Sequence, residues 1–524
     1  MPNRAEKRTQ IEALLRDAER SKPAVAPPPP SVVPESRPLG PVPMAIVGLA
    51  GKYPGAETID EFWASLIGRR NCIQEMRGER AEEFAMLGGG RNGQGDLRIK
   101  HFGLLKEIHR FDAPFFNISR REAEVMDPHM RLLLETVWTC IENAGYRPRS
   151  LDPQTGVFTA FYNYEFADLL RELEVEAASE AYLAAGTTGA IFANRISFLL
   201  GLNGPSEVYN TACSTALVAL HRSIQAICAG DCRQAIIAGV SLLLTPGRVV
   251  ALSGMGILNT TGICNPYSHP AHGEVIGEGV GAILIKPLAQ AVADRDYIYA
   301  VVRGTDVNHQ GDRSGRLTLP SADALADLLA ATYRKLGIPL GNLRYVEGHG
   351  AGAEADVIEL RALQRFLEKA GFQGGKVPVG SVKGNIGFGE ASGGMAQLAK
   401  CALAFHHGQL PGTLHFDQAD PVFDLSHSWL EIQTANATLD HGGAGDCMSI
   451  LAYGLGGSNA HVVVSGYTPL PAGLDAPAKP YLMLFSAGSE GALAEYLRQL
   501  GEHLRVATNW ARYRAICGSD SAAL

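Results

Sequence analysis

The sequence predicts an α/β protein, and two patterns predict it. From residue 44 to about residue 465, short apolar runs of strand length alternate with stretches of helical periodicity, which is how a central sheet covered by helices is encoded. Glycine is also abundant, 59 of 524 residues against an average of roughly 7%, which fits many tight turns and close backbone approaches. Hydrophobic residues make up 46% of the chain and charged residues 19%. That is enough apolar material for a large core, and it excludes a disordered chain, a collagen-like fibre and a small disulfide scaffold.

Along the chain, residues 1–22 are charged, with Ile11, Leu14 and Leu15 at helical spacing. They read as a solvated terminal helix or a short docking helix. Residues 23–43 contain Pro27 to Pro30 and further prolines, among them those at 34, 38, 41 and 43, the composition of a semi-rigid linker. The globular body spans residues 44–465. Strands are expected at 45–49, 157–161, 234–240, 282–285 and 298–302, and helices at 131–144, 214–229 and 324–336. The pattern breaks at Pro469 and Pro471. Residues 466–524 read as a small α/β flanking segment, with a strand at 481–485 and a helix at 490–504.

A net charge of −8 argues against nucleic-acid binding. No apolar run reaches the roughly 18 residues of a membrane helix, and the N-terminus has no apolar signal region. The nine cysteines lack paired spacing. Cys228 and Cys232 have no second pair or nearby histidine to complete a metal site, and the spacings of His406, His407, His415 and His427 suit none either. No metal and no tightly bound cofactor are expected, and the thiol usage reads as cytoplasmic.

Four motifs carry chemistry. In Glu207 to Leu217 a strand-like stretch runs through a small-residue turn to Cys213, where a helix with apolar face Leu217, Leu220, Ile224 and Ile227 begins. A thiol at a helix N-terminus is expected to have a lowered pKa and nucleophilic character; Cys140, Cys228 and Cys401 read as structural. The second motif, Val346 to Gly352, sets His349 between glycines at a strand end. The third, Gly380 to Phe388, contains Lys383. The fourth, Tyr453 to His461, is a glycine-rich turn whose amides suit an oxyanion hole. It lacks the Lys-Ser/Thr ending of a phosphate loop, as does Gly88 to Gly93.

In this order the four motifs resemble the β-ketoacyl synthase family, specifically ketosynthase domains of modular polyketide synthases. Further matches lie at Met44 to Gly55, Phe111 to Phe116, Met126-Asp127-Pro128, Ala193 to Ser197, Val307-Asn308-His309 and Asn459-Ala460-His461. The resemblance implies a thiolase fold: two similar αβ halves in a five-layered αβαβα arrangement, and a homodimer. The Cys213 motif and the flanking segment look more like trans-acyltransferase assembly lines. By resemblance, Cys213 takes an acyl chain from the phosphopantetheine arm of an acyl carrier protein. The backbone amides of Cys213 and Leu455 form the oxyanion hole, with His349 and Lys383 in the catalytic set. Asn308, His309 and Tyr453 are candidate pocket residues. Neighbouring synthase modules are the implied partners.

Three departures decide the functional expectation. Where the family carries a second histidine, this chain has Phe388, which keeps volume and discards donor and acceptor. Two threonines that contact the pantetheine arm in the family are Ala351 and Ala353. The stretch Glu354 to Glu359 is one residue shorter; His272, where the family often has aspartate, reads as a tolerated loop change. Losing one oxyanion donor typically costs about 100- to 1,000-fold in rate. The reading is therefore a non-elongating ketosynthase that transfers acyl chains without condensation. The alternatives are an elongating enzyme, with His349 alone or His309 sufficing, and a non-catalytic dimer scaffold that docks carrier proteins.

Overall fold

In a computed structural model of the protein, residues 42–88, 99–172, 180–439, 445–468, 485, 487 and 489–505 are described. The expected N-terminal helix, nearly all of the linker, and the strand at 481–485 apart from Phe485 lie outside the described residues. Within them, eleven strands form one hydrogen-bonded sheet. In chain order these are β1 (Met44–Lys52), β2 (Thr155–Ala160), β3 (Ser206–Tyr209), β4 (Gln234–Ser241), β5 (Gly279–Pro287), β6 (Ala300–His309), β7 (Leu343–Glu347), β8 (Val377–Gly380), β9 (Leu430–Ile432), β10 (Cys447–Tyr453) and β11 (Ser458–Ser465). The principal helices are α1 (Pro128–Asn143), α2 (Ile191–Leu200), α3 (Thr215–Ala229), α4 (Ala322–Leu336), α5 (Ala355–Lys369), α6 (Lys383–Ile386), α7 (Glu390–His407) and α8 (Glu490–Leu504).

The sheet order, β9-β8-β7-β10-β11-β6-β1-β5-β4-β2-β3, contains the same unit twice. In the first half β2 pairs parallel with β3 and β4, while β5 pairs antiparallel with β4 and β1. In the second, β7 pairs parallel with β8 and β10, while β11 pairs antiparallel with β10 and β6. The halves join where Met44 to Ile46 of β1 run antiparallel to Val302 to Ala300 of β6. Helices repeat as well, with α1, α2 and α3 in the first half answered by α4, α5 and α7.

Strands such as β4 and β10 are buried along their whole length, the pattern of strands covered on both faces. The cover is layered as expected. Helices α1 and α2 lie on the outer face of the first half and α4 and α5 on that of the second, while α3 and α7 pack together between the halves. The small residues of α7, from Ala391 to Ala404, let it run fully buried through this middle layer. Expected and observed elements agree to within a few residues, except that β6 extends well past residue 302. Its extra length continues the pairing with β11 as far as His309.

A polar cluster is locked into the middle layer. Lys400 of α7 lies 2.7 Å from Glu347 at the end of β7, both almost wholly buried. The Tyr345 hydroxyl donates to Glu347 at 2.6 Å, as does the Val382 amide at 2.7 Å. Removing one partner of such a pair strands the other charge in the interior. Lys400→Ala is expected to lower stability by about 3–5 kcal/mol, read as a fall in the urea unfolding midpoint.

Candidate active site

The chemistry-bearing residues arrive from the carboxyl ends of strands in both halves, the usual place for a site in an α/β sheet. Cys213 sits in the turn from β3 to α3. Ala212 adopts φ +56°, a conformation that a small side chain tolerates and a β-branched one does not. The turn is tied by the Thr211 amide donating to Thr215 Oγ1 at 2.9 Å. The Ser214 hydroxyl donates to the Thr211 carbonyl at 3.0 Å. Gly454 closes over this turn from the β10–β11 hairpin. A Cβ there would lie 2.3 Å from the Thr211 carbonyl oxygen, so only glycine lets the hairpin approach. The neighbouring Leu455 amide lies close enough to the Cys213 sulfur to favour its charged form.

His349 follows β7 and is almost fully buried. Two carboxylates of α5 hold its loop. Glu359 accepts from the amides of His349 (2.7 Å) and Gly350 (2.9 Å), and Asp356 from those of Ala351 and Gly352, each at 2.9 Å. Carbonyls on the same loop are claimed too. Gln397 donates to that of Gly348 at 2.8 Å, the Ser381 hydroxyl to that of Gly350 at 2.7 Å, and the Lys383 amine to that of His349. The imidazole makes no such bond through Nδ1.

Phe388, between α6 and α7, meets the His349 ring edge-on, with centroids 5.1 Å apart and planes at 78°. The Lys383 ammonium lies 4.4 Å above the Phe388 ring. Tyr453 leans on the other side of His349 at 4.1 Å, its hydroxyl buried without a partner. The structure thus brings Cys213, His349, Lys383, Phe388, Tyr453 and the Leu455 amide to one place. Ala351 is buried at the loop and Ala353 half-buried just beyond it. Asn308 and His309 have another role. Asn308 links the Ala324 carbonyl (2.8 Å) to Asn459 (2.9 Å), and exposed His309 contacts the Gly456 carbonyl through Nε2 at 2.9 Å. Both brace the hairpin that carries Leu455.

The expectation of a lowered Cys213 pKa is not met. Burial pushes the thiol up to about 12, and the carboxylates of Glu274 and Glu390 add to this. Lys383 and the Leu455 amide oppose it, and the helix N-terminus does not overcome desolvation. His349 is held well below its usual range by burial and then by the Lys383 charge. Burial lowers Lys383 itself, against the attraction of Glu359 and Glu274. The resting pair is therefore a neutral thiol and a neutral imidazole.

Sequence reasoning missed a second polar group beside Cys213. Arg248 Nε donates to Glu390 at 2.8 Å and its Nη2 to the Tyr162 hydroxyl at 3.4 Å. Glu390 is buried at φ +46° on the first residue of α7. Half-buried Glu274 was also missed. Glu390 follows Phe388 by two positions, which was the available signal. Nothing local marked Arg248, Tyr162 or Glu274.

Comparison with known proteins points to one family. The model of the beta-ketoacyl synthase N-terminal domain matches residues 42–291, and that of the C-terminal domain matches residues 299–417. Polyketide synthase ThaG of Burkholderia thailandensis is 37% identical over 434 residues, which are 80% of this chain and 8% of that protein. Polyketide synthase PksN of Bacillus subtilis is 34% identical over 487 residues, 89% of this chain and 9% of that one. The chain thus spans under a tenth of either relative. Among solved structures, the ketosynthase from module 6 of the bacillaene synthase of Bacillus subtilis is 34% identical with a TM-score of 0.73, covering 81% of this chain and 72% of that one. The oxazolomycin ketosynthase domain from Streptomyces albus is 33% identical with a TM-score of 0.79, covering 88% and 80%.

Two outcomes follow from the site. Alkylation of Cys213 by iodoacetamide is expected to keep rising above pH ~10 with no plateau near neutrality, because the thiolate is the reactive form; peptide mass spectrometry across a pH series reads this. Asp356→Ala strands the Tyr267, Ala351 and Gly352 amides that the carboxylate holds. At about 1–3 kcal/mol for each buried donor left unsatisfied, a lowered melting temperature and faster amide exchange at residues 351–352 are expected.

Proposed function

Since the chain belongs to the β-ketoacyl synthase family, we propose that it is a ketosynthase domain of a polyketide assembly line that passes an acyl chain between carrier proteins without lengthening it. Its partners in this reading are acyl carrier proteins and neighbouring synthase modules, and it works as a cytoplasmic homodimer of trans-acyltransferase type.

The transfer uses groups the site retains. Cys213 Sγ attacks the thioester carbonyl carbon of the incoming acyl-phosphopantetheine. The developing oxyanion lies at the amides of Cys213 and Leu455. As the new carbon–sulfur bond forms and the old one breaks, the thiol proton passes to His349 and then to the departing pantetheine sulfur. Because thiol and imidazole are both neutral at rest, the proton moves as the nucleophile attacks. The same steps in reverse, with the thiol of a second carrier, release the chain.

Condensation asks for more. Loss of carbon dioxide from a malonyl thioester leaves an enolate whose oxygen needs donors. The observation that carries the proposal is the placement of Phe388, its apolar ring against His349 and beneath the Lys383 ammonium, where the family places a second imidazole. One missing donor typically costs about 100- to 1,000-fold. Ala351 and Ala353 bring no hydroxyl to the pantetheine arm. His309 does not stand in, since its Nε2 faces the Gly456 carbonyl and its Nδ1 accepts from the Gly311 amide at 3.0 Å. Against the scaffold reading stands a nucleophile turn built at the cost of a left-handed Ala212.

Intact-protein mass spectrometry tests the reading. The chain is loaded from an acyl-carrier thioester and then offered malonyl-carrier or unloaded carrier. Loading of the wild type but not of Cys213→Ala, followed by transfer of the unextended chain, is expected. A product two carbons longer overturns the proposal in favour of elongation, and absence of loading overturns it in favour of a scaffold.

A further inference from the structure

Glu274 occupies a position that the acyl-transfer chemistry does not use. The backbone on either side of it is stitched to the two loops that frame the site. Before it, the Gly273 amide donates to the Gly352 carbonyl at 2.8 Å. Its own amide donates to the Ile257 carbonyl at 2.8 Å, and its carbonyl accepts from the Asn259 amide at 2.8 Å. After it, the Val275 carbonyl accepts from the Phe388 amide at 2.7 Å, and Ile276 bridges Phe388 in parallel. Glu274 is therefore set between the His349–Gly352 loop and Phe388, the two segments that diverge from the family motifs.

Its carboxylate takes part in no hydrogen bond or ion pair among the described residues, although cations stand near it. Lys383 is covered, with its amine on the His349 carbonyl and over the Phe388 ring. Arg248 is engaged by Glu390. The other groups acting on Glu274 are Glu390 and Asp356, both negative when ionised, and Cys213, which acts as a neutral thiol. A half-buried carboxylate with no direct hydrogen bond or ion pair among the described residues thus stands at the site, attracted by Lys383 without touching it.

We propose that Glu274 is a specificity-determining residue that repels acyl groups ending in a free carboxylate, as malonyl extenders do, and admits uncharged acyl thioesters. This deepens the proposed function and rests on it. Where Phe388 withholds a donor from the enolate, Glu274 acts one step earlier by disfavouring the binding of its precursor. Two like charges brought together in a partly desolvated pocket repel far more than in water. Burial lifts Glu274 to about 7, against the attraction of Lys383, with Glu390 and Asp356 adding to the rise. The carboxyl gains charge as pH rises through this value and loses it as pH falls, so the repulsion strengthens toward alkaline pH.

The test uses the full chain and a pair of hydrolysis-resistant pantetheine amides, one bearing malonyl and one bearing its isosteric terminal amide, malonamyl. Affinities are measured by calorimetry from about pH 6 to pH 8.5. For the wild type, malonamyl is expected to bind at least about tenfold more tightly at the alkaline end, with the ratio shrinking toward acid. In Glu274→Gln the ratio is expected to approach one and to lose its pH dependence. A wild-type ratio near one, or the same ratio and pH dependence in Glu274→Gln, overturns the proposal. The two readings fail separately. Chain extension by the wild type in the mass-spectrometric assay removes the non-elongating reading, whereas an unaltered ratio without extension removes only the role of Glu274.

Discussion

The loop from Gly348 to Gly352 is the constraint on which the rest of the site depends. A backbone segment buried among helices must find a partner for nearly every amide and carbonyl. Here Asp356, Glu359, Gln397, Ser381 and Lys383 supply them from α5, α7 and the β8–α6 junction. Tyr267 completes the set, its hydroxyl donating to Glu359 at 3.1 Å and its amide to Asp356 at 2.8 Å. With the main chain fully engaged, the His349 ring lies against Phe388 and Tyr453, its Nδ1 without a partner among the described residues. The same bonds tie α5, outside the sheet, and α7, in the middle layer, to one loop at the strand ends, so the geometry of the site and the packing of the second half are one arrangement.

Desolvation then sets the protonation of the reacting groups. Neither the dipole of α3 nor the single lysine nearby offsets the cost of taking a thiolate out of water. Cys213 rests as a thiol and His349 as an uncharged imidazole, which in the proposed reading exchange a proton during attack. Phe388 fits this economy of charge. It fills its space, so that a Cβ added at Gly393 would meet its ring at 3.4 Å, and it offers its face to the Lys383 ammonium. It offers nothing to an enolate. In the proposed reading, acyl transfer and decarboxylation are separable in a single pocket, because they draw on different donors.

Much of this was legible in the linear chain. The helix expected at 214–229 is Thr215–Ala229 in the structure, and the flanking helix expected at 490–504 is Glu490–Leu504. The four motifs converge because each lies where a strand ends, and strand ends in both halves meet over the same middle helices. What periodicity left hidden was the exchange of burial for charge at Cys213. Arg248, Tyr162, Glu274 and Glu390 were also hidden. Each is a single polar residue inside an otherwise ordinary stretch, and its meaning comes from neighbours far away in the chain.

The sequence by itself determined the class of fold and the family, and it singled out Cys213, His349 and Phe388, because these reside in local spacing and residue identity. Tertiary structure alone decided that Asn308 and His309 brace a hairpin and that Cys213 rests protonated. It likewise decided that an unpaired carboxylate borders the site. The physical reason is that charge state and hydrogen-bond partnership depend on desolvation and on atoms within a few ångströms, and folding brings those atoms from both halves of the chain.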